Sequence, residues 1–204
     1  MSVKAEFLFD FGSPNAFLAH RVIPHIEKRT GVKFTYTPVL LGGIFKATGN
    51  QSPMQAFGHI KNKLAYEQLE TQRFIRSHGI ADFKFNPFFP VNTLQLMRTA
   101  VAAQNEGILP RYMDAVFHHM WIAPKKMDDP DVVKSALVES QIDPALLERA
   151  QAAEVKAALI ANTEDAVSRG AFGIPTFFVD GEIFFGKDRL RDVEEAINVA
   201  KALA

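Results

Sequence analysis

Phe7-Leu-Phe-Asp-Phe-Gly-Ser-Pro-Asn-Ala-Phe-Leu-Ala19 is the stretch that decides how the rest of the chain is read. A Phe-rich apolar run ends at Gly12, and an amphipathic pattern begins just after Ser13-Pro14. A strand, a tight turn and a helix start therefore fall within about a dozen residues. Ser13 stands where an N-cap belongs, and Pro14 stands at the first helical position, where its missing N–H costs nothing. A hydroxyl there lies beside the unsatisfied backbone N–H groups and positive end of a helix, which stabilise an anion brought next to it. Taken alone, the pair says only that Ser13 caps a helix. Any further role has to come from the rest of the chain.

Working outward, residues 3–11 suit a buried strand. From Ser13 to about Thr30, Phe17, Ala19, Val22, Ile23 and Ile26 fall at helical spacing, and Gly31 closes the pattern. Val32 to Leu41 alternates in β fashion and carries a proline near its end, so the first forty or so residues read β-α-β with a parallel crossover. Leu41 to Asn50 is a glycine-bearing connection with a short helix around Ile44 to Thr48. Neither GxGxxG nor a Walker-type GKS/T occurs in the chain.

The middle changes character. Helical signals run from about Met54 to Ser77, Thr93 to Gly107, Pro110 to Ile122, Pro130 to Ser140 and Ala145 to Arg169, with Asn86-Pro-Phe-Phe-Pro90 as an extended interruption. Asp129-Pro130 and Asp143-Pro144 each read as a cap followed by its first-turn proline. The end returns to β: Phe172 to Gly186 holds two short apolar strands around Asp180-Gly181, a strong hairpin dipeptide. Asp188 then precedes a helix over Arg189 to Ala204, with Leu190, Val193 and Ile197 on one face. A βαβ half and a ββα half enclosing a helical block form a thioredoxin-type α/β arrangement. The expected division is a thioredoxin-like domain from residues 1–50 and 170–204, with a helical insertion over 51–169.

Composition narrows the function. The 204 residues are 48% hydrophobic and carry 23 basic and 23 acidic side chains, for a formal net charge of zero. Nucleic-acid and anionic-membrane partners need a basic excess or patch, so neither is expected. There is no cysteine, which removes disulfides, thiolate metal sites, a Cys nucleophile and any CxxC redox pair. No signal-peptide pattern and no run of membrane-spanning length is found, so a cytoplasmic location is expected. Metal binding is not expected either. His118-His119 point about 100° apart on a helix, His20 and His25 are badly spaced, and HExxH is absent. Asp128-Asp129-Pro-Asp131 lacks the rest of a calcium loop and reads as a helix-start acidic cluster. Trp121 and Phe88-Phe89 suit core or pocket wall.

Five segments now occur in order: Phe9-Asp-Phe-Gly-Ser-Pro-Asn-Ala-Phe-Leu-Ala19, Gly49-Asn50, Lys63-x-x-Tyr66, Ala171-Phe-Gly-Ile-Pro-Thr-Phe177 and Phe185-Gly-Lys-Asp-Arg-Leu190. Together they resemble the 2-hydroxychromene-2-carboxylate isomerases and the related kappa-class glutathione transferases. Both belong to the DsbA-like group, in which a helical domain interrupts a thioredoxin fold. Where redox members of that group carry CxxC, this chain has Ser13-Pro14-Asn15-Ala16, so dithiol chemistry is not available. The resemblance implies glutathione as cofactor and Ser13 as the catalytic residue, hydrogen-bonded to the glutathione sulfur. A hydroxyl donor at a helix N-terminus favours the thiolate, the nucleophilic form.

The resemblance also implies a cis Ile174-Pro175 bond whose backbone pairs with the tripeptide. Lys187 and Asp188 fall at the γ-glutamyl end. Asn50 and Lys63 match cofactor-contacting positions, with Lys61 a rival for Lys63. Asp188 also has a plainer reading as an N-cap. The implied substrate is a small aromatic acid, the implied reaction the interconversion of 2-hydroxychromene-2-carboxylate and trans-o-hydroxybenzylidenepyruvate in aromatic catabolism, and the implied assembly a homodimer. A kappa-type transferase and a non-catalytic glutathione- or peptide-binding module are the alternatives. Asn15, Phe17 and Glu70 depart from common family residues near the expected substrate pocket, and so bear on which substrate is used.

Overall fold

The computed structural model describes residues 3–203. Its centre is the strand β1 (Ala5–Phe9), which the turn at Gly12 connects to the helix α1 (Pro14–Thr30). Gly31 ends α1 in the left-handed conformation, with φ 73° and its N–H donated to Glu27 O. The chain returns as β2 (Phe34–Pro38), parallel to β1 in a register from Ala5 opposite Phe34 to Phe9 opposite Pro38. Much later, β3 (Thr176–Val179) pairs antiparallel with the other edge of β1, and β4 (Glu182–Phe185) pairs antiparallel with β3. The sheet order is β2-β1-β3-β4, the thioredoxin-type arrangement expected from the sequence. Asp180 and Gly181, with φ 47° and 96°, make the β3–β4 hairpin turn.

Eight helices lie between β2 and β3: α2 (Leu41–Thr48), α3 (Pro53–Phe57), α4 (Lys63–His78), α5 (Leu94–Asn105), α6 (Leu109–Trp121), α7 (Pro130–Glu139), α8 (Leu146–Arg149) and α9 (Ala153–Ser168). After β4 come a 3₁₀ turn over Lys187–Arg189 and α10 (Leu190–Leu203). Aromatic side chains join the two parts of the core. Phe7 stacks on Phe177 at 5.2 Å, and Phe11 meets Phe117 of α6 edge-on at 4.9 Å. Each such ring, fully buried, is worth about 1.5–3 kcal/mol of transfer free energy. The Trp121 indole donates to Phe11 O at 2.9 Å, so α6 holds the backbone two residues before Ser13.

Four expectations need correction. The helix expected over Met54 to Ser77 is two helices, because Gly58 ends α3 and Asn62 takes a left-handed φ of 70° before α4. The one expected over Ala145 to Arg169 is also two. Ala152 breaks the run with ψ 143°, and α8 is drawn to α5, where Gln95 Nε2 donates to Leu147 O. Pro144 is not a first-turn proline: the Asp143 carboxylate caps the turn at Ala145 N, and α8 starts at Leu146. Asp129-Pro130 does cap α7, the carboxylate accepting from Asp131 N and Val132 N. Asp188 is not the N-cap of the last helix. It lies inside the 3₁₀ turn, whose cap position is Gly186, because the tight turn begins before the α-helix does. Ala204, the expected last helical residue, lies outside the described residues.

Candidate functional site

Ser13 takes the extended φ of −94° and ψ of 113° of an N-cap, and its Oγ accepts from Ala16 N at 3.1 Å. No acidic side chain occupies the first turn of α1. The Ser13 hydroxyl donates across the molecule to Ile174 O at 3.2 Å, and only 5% of the residue is exposed. Ile174-Pro175 is cis, as the resemblance implied. From there the site continues through the backbone: Gly186 N donates to Pro175 O at 2.9 Å, and Gly186, at φ 96°, turns the chain into Lys187 and Asp188.

Lys187 is an unusual residue to find inside, at 4% exposure. Its ammonium donates to Asp188 Oδ1 at 2.6 Å and lies 5.0 Å from the Phe74 ring centre on α4. Of its three N–H donors, the hydrogen bond to Asp188 uses one, the only one it makes among the described residues. Asp188 itself is well exposed, so the pair presents a carboxylate to solvent above a buried cation. One turn back on α4, Arg73 beside Glu70 holds that carboxyl below the ordinary carboxylate range, with Lys187 adding to the same effect.

Asn50 follows the left-handed Gly49 and joins the same loop cluster: its Nδ2 donates to Phe172 O at 2.7 Å. Phe172 and Phe185 pack with ring centres 4.4 Å apart and planes tilted by 44°, and both are partly exposed. Gly173 makes room for this, since a Cβ there would lie 2.9 Å from a Phe185 ring carbon. Ser13, Ile174, Pro175, Lys187, Asp188 and Asn50 thus belong to one connected set of loops. Among the described residues, the Lys63 ammonium pairs elsewhere. It lies 4.5 Å from the Phe57 ring centre and 3.6 Å from Glu67, about three turns before Phe74 on α4, or ~16 Å along the axis. Lys61 is exposed in the turn before α4.

Asp10 is a residue near the site that sequence reasoning does not single out. It is fully buried beneath the Ser13 turn, with Oδ1 accepting from Gly12 N and Oδ2 from Leu41 N, both at 2.8 Å. Burial pushes its carboxyl up, against the opposing effect of these bonds and of Thr93. The signal was a single acid inside Phe7-Leu-Phe-Asp-Phe11, a run that otherwise only a buried strand would carry. Elsewhere, no group of three or more His, Asp or Glu side chains converges as a metal site among the described residues. No helix there is long and apolar enough to cross a membrane.

The family model for the DSBA-like thioredoxin domain matches residues 5–198. The chain belongs to the DsbA-like thioredoxin family. Among curated relatives of this DsbA-like chain, the 2-hydroxychromene-2-carboxylate isomerase of Sphingobium xenophagum is 25% identical, with 95% of this chain and 97% of the relative aligned. The enzyme of the same name from Pseudomonas putida is 28% identical, covering 94% and 93%. Glutathione S-transferase kappa 1 of Rattus norvegicus is also 28% identical, covering 91% and 86%. A solved 2-hydroxychromene-2-carboxylate isomerase superposes with a TM-score of 0.80 at 24% identity, over 96% of this chain and 95% of that one, and so shares the fold.

Proposed function

We propose that this protein is a glutathione-dependent isomerase of small aromatic acids, interconverting 2-hydroxychromene-2-carboxylate and trans-o-hydroxybenzylidenepyruvate or a close relative of that pair. The observation that carries the reading is Ser13: a hydroxyl at the N-terminus of a helix with no acid in its first turn, facing a cis-proline loop, in a chain with no cysteine of its own. Curated relatives aligned over nearly their whole length bear the isomerase name. Glutathione, when bound, supplies the thiolate nucleophile that the chain lacks.

The residues present suit such a ligand. A γ-glutamyl group carries an α-ammonium and an α-carboxylate, and Asp188 with Lys187 offers an exposed carboxylate beside a cation with donors to spare. The backbone at Ile174-Pro175 holds the peptide part. Asn50 and Lys63 serve the remaining polar end, Lys63 from the start of α4. Ser13 stabilises the sulfur anion by donating one hydrogen bond, backed by the first-turn N–H groups of α1. It needs no base, because it acts as a donor and not as a nucleophile. Phe172 and Phe185 form an apolar wall next to the cis-proline loop, suited to a planar aromatic substrate.

The second reading, a kappa-type transferase, uses the same site and rests on relatives named glutathione S-transferase kappa 1. Calorimetric titration with glutathione, followed by product analysis with the hydroxychromene carboxylate, tests both. An isomerase returns free glutathione and accumulates the benzylidenepyruvate; a transferase consumes glutathione into a thioether. No binding at millimolar glutathione would remove both.

A further inference from the structure

Each oxygen of the buried Asp10 carboxylate is used by a different segment. Oδ1 takes Gly12 N in the turn that delivers Ser13, and Oδ2 takes Leu41 N, the first residue of α2. Thr93, at the residue before α5, packs against the same turn, and its hydroxyl favours the ionised carboxyl. Burial chiefly sets the acidity of Asp10 and pushes the carboxyl up; the two backbone amides and Thr93 oppose this, and no charged side chain takes part. The main-chain carbonyl of Asp10 also accepts from Ser13 N at 3.1 Å. Helix α2 needs this help, because its own N-cap residue is Leu40, which has no side chain able to accept. Gly12 permits the close approach: a Cβ there would lie 3.1 Å from Thr93 Cγ2 and 3.3 Å from Asp10 Oδ1.

The chemistry of the clamp selects a carboxylate. Two backbone N–H donors approach opposite oxygens, and an asparagine would turn its amide donors toward one of them. Holding an acid in a fully buried position opposes ionisation, so the arrangement is poorly explained as plain packing. What it fixes is the Gly12-Ser13 turn relative to α2 and α5.

We propose that Asp10 is the positioning residue for Ser13, its carboxylate locking the Gly12-Ser13 turn so that the hydroxyl stays in reach of an acceptor held against Ile174-Pro175. This rests on the reading of Ser13 as the group that holds the glutathione sulfur. Asp10 touches neither ligand nor substrate and acts through the turn alone.

The experiment is an ultraviolet titration of the thiolate of bound glutathione in wild type, Asp10→Asn and Thr93→Val, with calorimetric affinity and circular dichroism measured alongside. The expected result is a native spectrum, glutathione affinity within a few fold of wild type, and a bound thiol pKa about one unit higher in Asp10→Asn, lowering the ratio of thiolate to thiol roughly tenfold. Thr93→Val, which keeps the carboxylate, shifts it the same way by less, and carries the test alone if Asp10→Asn does not fold. An unchanged thiol pKa in the folded variants overturns the proposal. A lower one also overturns it, since it makes Asp10 a charge opposing the thiolate. A wild-type protein that binds glutathione without lowering its thiol pKa removes the Ser13 reading itself, and Asp10 with it.

Discussion

The Ser13 hydroxyl and the Ile174 carbonyl, 161 residues apart in sequence, are joined by one hydrogen bond of 3.2 Å. That is long for O–H···O, where 2.7–2.8 Å is usual. Ser13 has a single proton to give, and its oxygen is already fixed by Ala16 N. A sulfur anion placed beside the cis-proline loop would take that proton from the carbonyl, exchanging a stretched neutral bond for a charge-assisted one about twice as strong. Ser13→Ala should therefore bind glutathione and leave its thiol largely protonated at neutral pH, read by ultraviolet titration. It should also lose the α1 cap, at about 1 kcal/mol in urea denaturation. Wild-type thiolate content in the variant would count against the assignment.

A complementary substitution asks whether α1 itself favours an anion here, with no ligand involved. Ser13→Cys places the chain's only thiol at the N-terminus of a helix whose first turn holds no acid. Its pKa should fall below the ordinary ~8.5. The rate of alkylation by iodoacetamide against pH reports it directly, because no other cysteine reacts. A value at or above the ordinary one would mean that the helix end contributes nothing to holding a thiolate.

The framework of this site was legible because its parts are local. Ser13-Pro14, Gly31 and Asp180-Gly181 each state their conformation in two or three residues, and all three adopt it. The breaks at Asn62 and Ala152 were hidden because helical periodicity continues through them, and tertiary contacts decide where the chain turns. Asp188 looked like a cap because an acid before a helix normally is one. Only the fold reveals that its neighbour Lys187 is buried, and that burial gives the acid a cation to pair with. Asp10 was in plain view within the Phe-rich run, but its partner Leu41 is far away in sequence, so its purpose could not be read there.

Lys187 and Asp188 should respond unequally to truncation. Asp188→Ala removes the acceptor and leaves a buried ammonium without it, which should destabilise the protein by about 1–3 kcal/mol. Lys187→Met keeps the volume against Phe74 and removes the buried charge, and should change stability by no more than about 1 kcal/mol. Both should weaken glutathione binding in calorimetry, if each supplies one half of the proposed α-amino-acid clamp. If Lys187→Met proves the more destabilising of the two, the buried cation is itself a stabilising element and the order of cause is reversed.

His119 sets an acid limit on stability. It is buried, its Nδ1 has no partner among the described residues, and its Nε2 lies 3.1 Å from Ser140 Oγ. Burial holds its protonation below the ordinary histidine range, with Lys125 and His118 adding to the effect and Glu139 opposing it. The unfolded chain therefore binds a proton at a higher pH than the folded one does. The stability linked to His119 is present above the ordinary pKa of about 6.5 and is lost as pH falls through the lower folded value. Wild type should lose stability relative to His119→Gln when urea denaturation is repeated from about pH 7.5 down to about pH 5, a window that spans the ordinary histidine pKa. Parallel curves for the two proteins would show that His119 takes up its proton as readily in the fold as outside it, and would place the acid sensitivity on other groups.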